Sequence, residues 1–213
     1  PVSRCYMANV DRPFGLRPVK HLKGGPWNGQ THLCYIPSTD STRAFFIGDA
    51  VIMGGTADST GFRPTVTIAT PGANGAIFGV ITGFAENPDL LSLTYRLDDT
   101  GRYCFVCIDP DVIYEIQDNG GATDLVAIGI AAVGLNANLV AGTGSTTSSL
   151  AGTCLNADAT TADGTYQLLI LAASSKVDND ATLPHAVWEV LIAQHQLRAC
   201  SSADAVGFNI LGT

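Results

Sequence analysis

No stretch of this chain is apolar enough to cross a membrane as a helix. The longest apolar run, Leu125 to Leu135, is 11 residues long and carries two glycines, whereas a span needs roughly 18–20. No apolar leader stretch opens the sequence and no Asn-x-Ser/Thr sequon occurs, so neither a secretory signal nor a glycosylated exterior is expected. Charge is scarce as well, at 14 % of residues against roughly 25 % in a typical soluble domain. The six cysteines (Cys5, Cys34, Cys104, Cys107, Cys154 and Cys200) are scattered and too few for a disulfide scaffold of 213 residues. They read as reduced, structural thiols of a protein made in a reducing cytoplasm.

The signatures of common catalytic sites are missing too. There is no Gly-x-Ser-x-Gly elbow for a serine nucleophile, no His-Glu-x-x-His and no His-x-His pair for a metal. Gly142-Thr-Gly144 lacks the Gly-Lys-Ser/Thr that completes a phosphate loop. Cys104-Phe-Val-Cys107 stands alone, and in a strand residues three apart point to opposite faces, so these two thiols do not converge on a zinc ion. Asp98-Asp99 and Asp109-Pro-Asp111 are carboxylate pairs that a hard cation could use, but they read as solvated turn residues. His21, His32, His185 and His195 are isolated. No catalytic, cofactor-binding or metal-binding residue is assigned, and an enzyme is not expected.

What is present is a 46 % hydrophobic fraction, enough for a large core, with 23 glycines and many small uncharged polar residues. Such a surface costs little to desolvate, which suits a protein packed against other proteins, although stable soluble β proteins share the composition. The length fits one domain with an extension, or one large β domain. Charge is divided unevenly. Residues 1–43 hold six Lys and Arg against two Asp, a net +4, while the remaining 170 residues hold five cations and 17 carboxylates. Those first 43 residues also contain five of the ten prolines. Proline fixes φ and pushes its predecessor toward extended backbone, so this stretch is expected to be an extended cationic arm of polyproline-like and β segments. Gly24-Gly25-Pro26 and Asn28-Gly29 mark turns around Trp27.

From residue 44 the chain is a succession of short β-like runs: 44–47, 50–53, 65–69, 77–84, 102–108, 112–117, 138–140, 150–155, 166–172 and 187–192. Thr31 to Ile36 adds one more within the arm. Gly54-Gly55 reads as a turn, 142–149 and 156–164 as loops, and 120–135 is ambiguous, with room for a short helix. Residues 186–198 could pass for a helix, but Trp188, Val190 and Ile192 share a strand face opposite Glu189, which favours a strand. Spacings of about 8–15 residues broken by Gly, Asn, Asp or Pro are the mark of a sandwich or barrel. The expectation is an all-β fold, residues 1–43 an arm and 44–213 a β-sandwich or barrel body.

An acidic patch on a protein fits the arm better than nucleic acid does, because the net charge of −8 opposes phosphate binding and aromatics do not interleave with the cations. The stretch Met7-Ala-Asn-Val-Asp-Arg-Pro-Phe-Gly-Leu-Arg-Pro-Val-Lys-His-Leu-Lys-Gly-Gly-Pro-Trp-Asn-Gly-Gln30 resembles the start of a family of tailed-bacteriophage virion proteins, some of them capsid cement or decoration proteins. The resemblance continues through Tyr35-Ile-Pro-Ser-Thr-Asp40, Phe46-Ile-Gly-Asp49, Asn87-Pro-Asp89, Asp109-Pro-Asp111, the stretch from Gly134 to Gly144, and Leu197-Arg198. Residues 1–6 lie outside it.

The resemblance implies a β-rich, jelly-roll-like cement protein on the outer surface of the phage head, made in the host bacterial cytoplasm. It would bind the major capsid protein, bridge capsomers as a homodimer, and need no cofactor, membrane or nucleic acid. Phe14, Leu16 and Trp27 would anchor in apolar pockets of the shell. Arg12, Arg17 and Lys20 would pair with carboxylates at the pocket rims, with His21 and Asn28 as further contacts. On this reading residues 1–30 are removable without unfolding the body. The alternative is a β-sandwich adhesin or carbohydrate-binding module on the phage surface.

Overall fold

The computed structural model describes residues 9–40, 43–122 and 125–198; Arg4, Cys5 and Cys200 lie outside them. The described residues form an all-β molecule of eleven strands: β1 Arg17–His21, β2 His32–Ile36, β3 Ala50–Ala57, β4 Pro64–Ile68, β5 Gly79–Phe84, β6 Arg102–Cys107, β7 Val112–Gln117, β8 Asn136–Val140, β9 Cys154–Thr161, β10 Leu168–Ala173 and β11 Val187–Ile192. No helix among them is long and apolar enough to cross a membrane. Five strands close into a barrel in the order β2-β4-β3-β5-β6, and six form an antiparallel sheet in the order β1-β7-β11-β10-β8-β9. The barrel closes through one parallel pairing, Tyr35 opposite Thr65. This is not the pair of four-stranded sheets of a jelly roll.

Alternation explains most of the strands. Along β6, Arg102, Cys104 and Val106 are buried while Tyr103 and Phe105 face outward. Cys104 and Val106 join Cys34, Ile36, Val51, Val66 and Ile81 inside the barrel, with Phe45 and Phe78 completing the cluster. A second core lies where the barrel meets the sheet and includes Val80, Cys107, Tyr114, Ile116, Trp188 and Val190. Burying each such side chain contributes about 1.5–3 kcal/mol. The two cysteines of the Cys-x-x-Cys therefore serve different cores, Cys104 the barrel and Cys107 the seam.

Several local expectations need correction. Gly54-Gly55 is no turn: β3 runs through it to Ala57, and its register with β4 slips between Met53 and Ala57. Residues 44–47 make only the isolated bridges Phe45 to Arg96 and Ile47 to Leu150. The predicted loop after Asn156 is largely strand, because β9 continues to Thr161 opposite β8. The ambiguous stretch contains one 3₁₀ turn, Ile130–Ala132.

The larger correction concerns the N-terminus. Residues 9–36 do not stand apart from the body, for β1 is an edge strand paired with β7 and β2 is a barrel strand. Asn9 and Gln117 lay the start of this segment down. The Asn9 amide donates to the carbonyls of Asp180, Leu183 and Pro184, while Gln117 accepts from Arg12 N and donates to Val10 O, both at 2.8 Å. The chain then crosses the barrel at two glycines. Leu16 N donates to Gly48 O at 2.9 Å. Gly15 (φ 71°) and Gly48 (φ 95°) approach so closely that a Cβ on Gly15 would sit 2.4 Å from Gly48 O and one on Gly48 2.4 Å from Phe14 O. Only glycine fits both the positive φ and the contact. The crossing drives Leu16 into the seam core at 1 % exposure. Removing residues 1–30 would take away an edge strand and a core side chain, so a binding loss after that truncation would not isolate a contact surface.

Candidate functional site

The cations of the N-terminal segment meet carboxylates of their own chain. Across the outer face of the sheet, Arg17 is the cross-strand partner of Glu115, and Glu115 is in turn the partner of Glu189. Two carboxylates directly opposite one another destabilise a sheet. Arg17 and Lys176 (2.7 Å) both pair with Glu115, and Lys20 reaches Glu189 at 2.6 Å. Burial alone would raise the Glu115 carboxyl; hydrogen bonds from Lys176, Arg17 and Ser174 outweigh it and hold the group below the usual carboxylate range. Further along, His21 Nδ1 lies 3.3 Å from Asp109, while Lys23 and Arg198 flank Asp111 at 3.3 and 2.7 Å. Hydrogen bonds from Lys23 and Arg198 lower the Asp111 carboxyl. Among the described residues, Arg17, Lys20, Lys23 and Arg43 thus pair with carboxylates of this chain, whereas Arg12 does not.

Of the eight residues singled out from the sequence, Leu16 is buried and Arg17, Lys20 and His21 are engaged as described. Asn28 lies in an exposed turn, its side chain accepting from Gln30 N at 3.2 Å. Arg12, Phe14 and Trp27 are left, and the fold gathers them around one ridge. Phe14 carries the Arg17 guanidinium 4.9 Å from its ring centroid and the Lys176 ammonium 5.9 Å from it.

On one side of that ridge is a polar cleft of about 310 Å³, lined by Arg12, Phe14, Arg17, Gln117, Lys176 and His185 among others. On the other is a mostly apolar cleft of about 330 Å³, walled by Leu16, Pro18, Trp27, Ile47, Ile81 and Leu150, with Phe14 and Arg17 shared. Trp27 is half-buried against the seam core, its backbone N–H bonded to Val19 O at 3.0 Å. Its indole N–H turns inward beside the Cys107 thiol, which burial pushes up.

No protein family, curated protein or solved structure matches this chain.

Three other arrangements hold loops. Arg96, fully buried, donates to the carbonyls of Thr100, Arg43, Pro37 and Asp40 and lies over the Phe45 ring. Arg102 donates to the carbonyls of Ala85, Leu93 and Tyr95 and lies over Phe84. Asp118 receives N–H bonds from Gly120, His185, Ala186 and the Trp188 indole. Trp188 is thereby wholly internal, leaving Trp27 as the tryptophan with accessible surface. No group of three or more His, Cys, Asp and Glu among the described residues is arranged to hold a metal ion.

Sequence reasoning missed Glu115, Gln117, Glu189, Lys176 and Asn9 as partners of the N-terminal segment. The available signal was polar residues inside two otherwise apolar strands, Glu115 and Gln117 two apart in β7 and the lone Glu189 in β11. Such residues on a covered face require partners.

Proposed function

We propose that this chain is a structural protein of a tailed-phage virion: a cement or decoration protein that binds the major capsid protein on the outside of the head and, as a dimer, bridges neighbouring capsomers. The sequence resemblance from Met7 to Arg198 supports this reading. The observation that carries it is the way the chain displays apolar side chains. Leu90, Leu91 and Leu97 project from the loop between β5 and β6, with Leu91 75 % exposed. The backbone beneath them is held from inside by Arg102 on Leu93 O and Tyr95 O and by Arg96 on Thr100 O. Phe62 (81 %) and Leu125 (79 %) are displayed on other loops.

Apolar anchors on a pre-ordered backbone lose little entropy on docking, and a surface with few charges surrounds them at low desolvation cost. Many copies acting together multiply modest contacts into a durable shell. Arg17, Lys20 and Lys23 pair within this protein's own fold, so capsid contact falls on the displayed loops and on what remains open around Phe14.

Co-sedimentation of the purified chain with heads lacking it tests the reading. Saturable binding is expected, with Leu91→Asp weakening it about tenfold or more while thermal unfolding stays unchanged. No binding by the native chain would overturn the function, and full binding by the variant would remove the loop from it.

A further inference from the structure

Around the Phe14 ridge the two clefts differ in chemistry but share a wall. The apolar cleft, about 330 Å³, has room for one large side chain between Trp27, Pro18, Ile81 and Leu150. In the polar cleft the charges cancel. Arg17 and Lys176 are tied to Glu115, and Asp178 lies on the lining. With Arg12 included, Asp11, 3.7 Å from the His185 imidazole, brings the local sum to zero, but it does not pair with Arg12. Arg12 is exposed, and among the described residues only it and Arg63 are cations with neither a carboxylate nor a carbonyl on the side chain. Gln117 and Asn179 in the same cleft already have their amides engaged with backbone. The unmet demand is therefore for a single carboxylate next to a single apolar group.

We propose that this ridge and its two clefts form a docking site for an extended peptide segment of a partner protein, one that places a large apolar side chain against Trp27 and a carboxylate on Arg12. The shared Phe14–Arg17 wall puts the two anchors within a few residues of each other, since an extended chain advances about 3.3 Å per residue. The backbone needs no induced fit, because Asn9, Gln117 and the Gly15–Gly48 crossing already fix residues 9–16. The inference rests on the cement-protein reading for the identity of the partner, whose docking segment it describes. The specificity lies in Arg12, because a carboxylate set beside a guanidinium forms a charge-assisted, bidentate pair.

The test is selection of a random heptapeptide library on the immobilised full chain, followed by affinity measurements on synthetic versions of the enriched peptides. Enrichment of Phe, Trp or Leu within about four residues of Asp or Glu is expected. Arg12→Glu should weaken those peptides at least about tenfold, and replacing the peptide's Asp by Asn should weaken them similarly. Arg63→Glu, which alters the other unpaired cation, should leave them unchanged. No enrichment, enrichment without a carboxylate, or equal loss in both variants would overturn the proposal. So would a dimer that Arg12→Glu dissociates in the absence of any enriched peptide, which would give the groove to a second copy. Head binding by the native chain, measured separately, distinguishes the two failures: binding retained without peptide enrichment sinks the groove and spares the cement reading.

Discussion

His195 follows the end of β11 with no exposed surface, bridged to Ile77. Its Nδ1 accepts from Leu197 N at 3.1 Å, and its buried Nε2 has no partner. Burial, aided by the Arg198 charge, pushes its pKa down to about 4. The folded protein therefore holds this imidazole neutral, while the unfolded chain protonates it near 6.5. The stability tied to that difference is complete above about pH 6.5 and disappears as pH falls through the folded value, a change of about 3 kcal/mol.

His195→Asn keeps an acceptor for Leu197 N, so its stability should vary less between pH 6.5 and 4 than that of the native chain in thermal or denaturant unfolding. An identical slope would show that another group is responsible. Glu115 acts with the same sign at lower pH, since its lowered carboxyl loses its contribution only as it protonates. The sequence placed His195 near a strand end, but its burial depends on residue 77, which local pattern does not reveal.

Loops in this molecule are ordered by guanidinium groups rather than by packing alone. Arg96 meets carbonyls from residues 37–43 and from Thr100, joining the connection before β3 to the one before β6. A lysine has three donors on one nitrogen and cannot reproduce that planar fork. Arg96→Lys should therefore cost about 2–4 kcal/mol by leaving buried carbonyls unpaired, read as a fall in the denaturation midpoint. An unchanged midpoint would mean that these carbonyls find other partners.

The strands whose pattern is regular were legible. Val112–Gln117 and Val187–Ile192 fall where alternation puts them. β1 was not, because Pro13 and Pro18 signal polyproline geometry and an edge strand tolerates a proline that a central strand would not. Gly15 and Gly48 were visible as glycines, but their reciprocal contact joins segments more than thirty residues apart and has no local signature.

Across the whole molecule, the uneven charge of the two parts of the chain looked like a demand for an outside partner. The structure meets most of that demand internally, because the register of β1, β7 and β11 lines up Arg17, Glu115 and Glu189. That register links residues about 100 and 170 positions apart, so no composition argument could have found it. Ion pairs this exposed, with Arg17 at 50 %, each contribute about 0–1 kcal/mol. The burial of Leu16 and the pairing of β1 hold the segment in place more than its charges do.

The most direct test is native-state hydrogen exchange of the full chain at the amides of Leu16, His21, Leu22 and Trp27, which are bonded to the carbonyls of Gly48, Gly25, Asp111 and Val19. A segment built into the fold predicts that these four amides exchange far more slowly than a free chain and lose protection together with β7. Exchange at free-chain rates while β7 stays protected would contradict it and restore a detached arm.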